Sequence, residues 1–265
     1  MRKQAVAKQK LYLYGVAPEF DGKIFGPIGL DGATAYSITS GRVSAIVSDV
    51  SEKLRPERRH LAAHQEVLKR MMAELPAVLP VSFGVVVDGP EVLRHILSRT
   101  RNQSMLLAQL RRVEGRVEMG LRVTWDVPNI FEYFVETHPE LRAARDHFFA
   151  GNRQPSQDDK IEVGRLFDRT LAEDREAYRQ RVEEIISPRC VEINGNKLRN
   201  EREVVNLACL VDRSRQGDFE AAVFAAARLF DNNYAFDYSG PWAPHNFVDM
   251  ALDMRPGRAA AQSQA

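Results

Sequence analysis

The chain has 265 residues, enough for two ordinary domains with real cores, and its 37 Lys and Arg nearly balance its 36 Asp and Glu. That balance gives no global field toward nucleic acid or anionic lipid, and no run approaches the roughly 18 apolar residues of a membrane span. Residues 1–10 are basic but lack a following apolar stretch, so they read as a disordered arm rather than a secretory signal. Cys190 and Cys209 are the only cysteines, too few for a disulfide framework, and are expected as reduced thiols in a soluble, cytoplasmic protein.

In chain order, Leu11-Tyr12-Leu13-Tyr14-Gly15-Val16 predicts a strand, followed by a Gly/Pro-punctuated loop through residue 32. Residues 34–39 and 43–50 flank the tight Ser40-Gly41 turn and read as a hairpin. A helix with Pro56 in its first turn then carries Leu61, Leu68, Met71 and Leu75 as its apolar face. Residues 78–87 are apolar enough for a buried strand. Asp88 and Glu91 have capping-box spacing and open one helix that runs toward Val113. Residues 11–115 are thus expected to form a smaller α+β domain.

Residues 117–125 alternate with a period of two and predict another strand. An apolar helical stretch with Ile130, Phe131, Phe134 and Val135 breaks at Pro139 and resumes through Leu141, Phe148 and Phe149. After a polar loop at 151–157 comes a long charged helix, striped by Leu171, Tyr178, Val182 and Ile185 and stopped by Pro188. Strands at 190–193 and 204–211 flank an Asn194-Gly195-Asn196 turn. A helix with Phe219, Val223, Ala226 and Phe230 and a strand at 234–238 complete the order. This is β-α-β-β-α-β with an enlarged first helical segment, the ferredoxin-like order, over residues 116–248. Helices are expected on one face of each sheet, and 249–265 as a tail that is disordered from Arg255 onward.

The segment Tyr238-Ser239-Gly240-Pro241-Trp242-Ala243-Pro244-His245-Asn246-Phe247-Val248 is stiffened by two prolines and carries aromatic anchors. Such a segment is built to be pinned, and docking on its own domain is the simplest expectation. Pro241, Trp242 and Phe247 are then expected to hold the C-terminal domain closed, so that Trp242→Ala lowers its stability. His60 and His64 have the i,i+4 spacing of a metal pair, but no third ligand is marked and a core-edge histidine is simpler. The cysteines lack a catalytic signature, the glycines at 22–32 lack a phosphate-loop register, and Glu183-Glu184 fits a solvated helix face. The arginines at 94, 99, 101, 111, 112 and 116 lack the aromatic pattern of an RNA-recognition strand. No catalytic, cofactor or metal site is marked.

Four features together resemble the gas vesicle protein F/L family: Leu79-Pro80-Val81-Ser82-Phe83-Gly84, the run from Ser239 to Val248, Leu11-Tyr12-Leu13-Tyr14-Gly15, and His64. The resemblance runs from about Leu11 to Val248. Ser82 stands where the family has arginine, Val85 where it has threonine, and Ala243 and His245 replace a proline and a tyrosine. It implies two α+β domains, the second ferredoxin-like. It also implies a non-enzymatic, chaperone-like accessory protein of gas vesicle assembly, cytoplasmic or vesicle-associated. Implied partners are the hydrophobic gas vesicle shell protein (GvpA-type) and other accessory proteins, with no nucleic acid, membrane or cofactor. Pro80, Phe83, Gly84, Gly240, Pro241, Trp242 and Phe247 become structural motif residues, and partner-contacting residues stay unassigned. Two other readings remain open: a nucleic-acid-binding ferredoxin-like module, and an enzyme or sensor with an interdomain pocket.

Overall fold

The computed structural model describes residues 9–20, 22–50, 54–149 and 156–252. The expected basic arm (apart from its last two residues), the core of the 151–157 loop and the tail beyond 252 lie outside the described residues. The chain is a mixed α+β protein that divides into two compact units. The first unit takes residues 1–118 together with 241–265, and the second takes 119–240. Residues 241–248 of the aromatic C-terminal segment thus fall with the first half of the chain, whereas the sequence reading places them in the C-terminal domain.

The first unit is built on a six-stranded sheet. Strand β1 (Lys10–Pro18) lies centrally, β2 (Ile24–Gly26), β3 (Ala35–Ser40) and β4 (Val43–Val50) extend to one side, and β5 (Leu79–Pro80) and β6 (Val86–Val87) pair its other edge. These pairings are antiparallel, and Ser40 opposite Val43 gives the expected hairpin with its turn at Gly41-Arg42, one residue later than Ser40-Gly41. Two strand expectations change. The 24–26 strand was hidden in the glycine-rich loop, and the single strand at 78–87 is two short ones joined by a turn at Gly84, whose φ of 95° suits glycine.

A bulge between Leu13 and Gly15 sets the two faces of β1. Leu11, Leu13 and Val16 point into one core with α2 (Pro90–Ser98) and α3 (Thr100–Val113), through Leu93, Ile96, Leu97, Leu106 and Leu110. Tyr12 and Tyr14 are fully buried on the opposite face, toward α1 (Arg58–Glu74). Helices therefore cover both faces of this sheet, not one. A Cβ at Gly15 would stand 2.9 Å from the Leu79 carbonyl oxygen and 3.0 Å from Met71, so only glycine lets β1, β5 and α1 approach so closely.

The helices also depart from expectation in detail. Helix α1 starts at Arg58 after Pro56, and its buried face is His60, His64, Val67, Leu68, Met71 and Met72, while Leu61 is exposed. The expected capping box fails because Gly89 is the N-cap, with Pro90 at the first helical position and no side-chain cap. Arg99 takes extended geometry and splits the expected long helix into α2 and α3.

The second unit holds the four-stranded sheet in the order β10-β7-β9-β8, where β7 is Arg116–Trp125, β8 Glu192–Gly195, β9 Glu203–Asp212 and β10 Tyr234–Trp242. Strands β7 and β10 start and finish, respectively, with residues of the first unit. The helical set is α4 (Ile130–Thr137), α5 (Pro139–Phe149), α6 (Gln157–Ile186) and α7 (Gln216–Ala227). Asn129 caps α4, His138 ends it in extended geometry before Pro139, and Ser156 with Asp159 forms a capping box on α6. Trp125, Phe134 and Phe219 are fully buried with Leu171, Val182 and the apolar run of β9. Phe230 lies past the end of α7, and Cys190 lies just before β8. Neither cysteine forms a disulfide, and Cys190 donates to the Ile186 carbonyl at 3.3 Å.

Candidate functional site

The motif at 79–84 and the C-terminal segment, far apart in sequence, meet in the first unit. Pro80 is buried in β5 opposite Gly15, and the amide of Val81 donates to the Tyr14 carbonyl at 2.9 Å. Phe83 packs at 5.9 Å against the rings of both Tyr12 and His64. The Gly84 amide donates to the Tyr12 hydroxyl at 3.2 Å. That hydroxyl lies 2.8 Å from His64 Nδ1, within hydrogen-bonding distance. His64 Nε2 is buried without a hydrogen bond.

Burial holds His64 well below the usual histidine range, at about 4, and nearby His245 adds to the drop. The Val81 backbone, short of hydrogen-bond geometry to Nε2, opposes it. Tyr12 is pushed up to about 12, chiefly by burial, with Gly84 opposing. Tyr14 is raised by burial too, and its hydroxyl sits 2.8 Å from Ser48 Oγ and accepts the Leu30 amide at 2.8 Å. His60 has separate partners, Asp31 Oδ1 at 3.1 Å and the Arg55 carbonyl at 2.9 Å, which raise its pKa, the Arg55 carbonyl most. The two histidines spaced as a metal pair are thus committed to different neighbours.

The C-terminal segment closes over the same unit. Ala243, Pro244 and Phe247 are buried, and a 3-10 turn spans His245–Phe247. Glu118 is 7 % exposed and accepts from Asn246 twice, from the backbone amide at 2.8 Å and the side-chain amide at 2.7 Å. Its pKa is raised by burial, against the pull of both Asn246 bonds. Val248, Met250 and Leu252 pack on the core cluster of Leu13, Val87, Leu93 and Ile96, leaving a groove of about 530 Å³ lined mostly by aliphatic side chains, with Ser82, His245 and Asp249 as its polar members. Trp242, however, is 45 % exposed and borders a hollow with Pro241 and residues of α1. Phe247 is the anchor, and Gly240 is the last residue of the second unit.

Sequence reasoning missed Glu118, Asn246 and the Tyr12–His64 bond. Glu118 sits on the nominally polar side of an alternating strand, so periodicity assigned it to solvent. Asn246 lay inside the singled-out segment, and a buried acceptor for it was the clue unused. The arginines at 94, 99, 111 and 116 make local contacts with α2 and α3, for example Arg94 with Glu91 and Arg111 with the Leu107 carbonyl. Among the described residues no helix is long and apolar enough to cross a membrane.

Fold and site together define an α+β protein whose C-terminal strap completes its first unit. Residues 10–249 match the family model described as gas vesicle synthesis protein GvpL/GvpF, and the chain belongs to that family. Membership gives it a role in gas vesicle formation. Gas vesicle protein F of Dolichospermum flosaquae is 25% identical over 243 residues, covering 91% of this chain and 98% of that protein. Gas vesicle protein F of Haloferax mediterranei is 27% identical over 256 residues, covering 94% and 98%. The crystal structure of GvpF from Anabaena sp. PCC7120 superposes with a TM-score of 0.80 at 24% identity, over 92% of this chain and 99% of that one. GvpF from Microcystis aeruginosa gives 0.75 at 23% identity. These structures share the fold.

Proposed function

We propose that this chain is a non-enzymatic accessory protein of gas vesicle assembly. It binds the hydrophobic shell subunit and other accessory proteins in the cytoplasm and limits their aggregation while the vesicle nucleates. The observation that carries this reading is the family match over residues 10–249, nearly the whole chain. Physical chemistry supplies the need: a subunit that walls a gas space presents apolar surface and strand edges that aggregate in water. The second unit is read as a ferredoxin-like domain, supported by its sheet order, in which the unit's fourth, first, third and second strands lie side by side. The seven motif residues are read as structural.

Co-expression with the shell protein of the same gas vesicle cluster tests the reading. The shell protein's soluble yield should rise, and it should co-purify with this chain. Insoluble shell protein and no co-purification, in buffer that keeps this chain folded, would sink it.

A further inference from the structure

Strand β10 stands at the end of its sheet, with β7 as its neighbour. Edge strands are normally short or guarded by lysine, proline or a bulge, because their outward N–H and C=O groups template pairing with another chain. This one is nine residues long, against about five or six for an ordinary strand, and its proline comes only at position 241. It contains no lysine. Its one charge, Asp237, is paired with Arg122 at 3.1 Å, so the strand itself carries no unpaired charge between Tyr234 and Gly240.

One side of the strand is aromatic. Tyr234 and Phe236 pack on Phe230 at 5.1 and 5.0 Å, and Tyr238 meets Phe224 of α7 at 6.4 Å. Phe224 is 55% exposed and Tyr238 39%, so the row opens to solvent where it reaches Tyr238. The Tyr238 hydroxyl donates to Glu220, which holds that ring beside the edge.

From this geometry we infer that β10 receives an extended, uncharged apolar strand of the gas vesicle shell protein, which adds to the sheet by main-chain hydrogen bonds and lays aliphatic side chains over Phe224 and Tyr238. The occupant follows from what the edge offers. Outward backbone groups select a strand over a helix, the aromatic row selects apolar side chains, and a strand whose one charge is already paired suits a partner strand without any. The inference rests on the shell-protein binding proposed above and assigns it a place.

The test is amide hydrogen exchange on the full chain, alone and co-purified with shell protein, beside two variants. Tyr238→Lys installs an edge lysine that Glu220 can accept in place of the hydroxyl, and Phe224→Lys changes only an exposed helix position. In the complex, amides of 234–240 should exchange at least tenfold more slowly than in the free chain. Each variant should capture at least fivefold less shell protein, while Leu61→Lys on α1 captures as much as the parent. If shell protein co-purifies but protection falls elsewhere, or both lysine variants capture it fully, the edge assignment is overturned and the proposed function stands. If the parent captures none, the proposed function fails and this inference fails with it.

Discussion

The buried polar layer under β1 shows how single residues tie stability to pH. His64 titrates near 4 in the folded chain, against about 6.5 when unfolded, so the unfolded chain binds more protons between those values. Its neutral burial therefore contributes fully above pH 6.5 and is lost as pH falls toward 4, by about 3 kcal/mol. His60 and Glu118 act oppositely. Both have raised pKa values, so the stability each contributes at low pH is lost as pH rises through its folded value. The check is thus a difference between two chains. His64→Gln keeps an acceptor for Tyr12 but cannot charge, and its melting temperature should fall less than the parent's from pH 6.5 to 4.5. Parallel curves would show that His64 does not carry this acid sensitivity.

Among the elements, the strap is held by its far end. Phe247 is 2% exposed and Trp242 45%, so of the two aromatic anchors expected from the sequence only Phe247 is buried. Phe247→Ala should cost about 3–5 kcal/mol, whereas Trp242→Ala should cost under about 1 kcal/mol. Urea melts of the two variants decide this, and equal midpoints would refute the burial ranking. The strands of periodic character, β1, β3, β4, β7 and β9, were legible in sequence because alternation or apolar runs report burial directly. The breaks were not. The bulge beside Gly15 arises where Leu79 and Met71 pass close by, and the Gly84 turn and the Arg99 kink are changes of backbone direction inside runs whose apolar pattern reads as continuous. Leu61 shows the same limit on α1. Its spacing fits the apolar stripe, yet the two histidines take the buried face because Tyr12 and Asp31 give them partners.

For the whole molecule, the first unit is discontinuous in sequence and the second is an insertion within it. The boundary was invisible to pattern reading because the strap directly continues β10, and contiguity argued for one domain. A chain ending at Gly240 keeps all of the second unit but lacks Phe247, Asn246 and the apolar residues that cover the first unit's core. Such a truncation should speed hydrogen exchange in β1, α1 and α2 while leaving β9 and α7 near their parental rates. Uniform acceleration across both units would show that they unfold together.

The insertion also sets a clock on synthesis. The first unit's opening residues leave the ribosome before the second unit, yet its last strap follows Gly240. At ~5–20 residues per second the intervening stretch takes on the order of 6–25 s to translate. Throughout that interval Glu118 has no Asn246 to bind, and Val87, Leu93 and Ile96 have no lid. The nascent chain is then itself an apolar client in need of shelter, and the second unit can finish folding before the first.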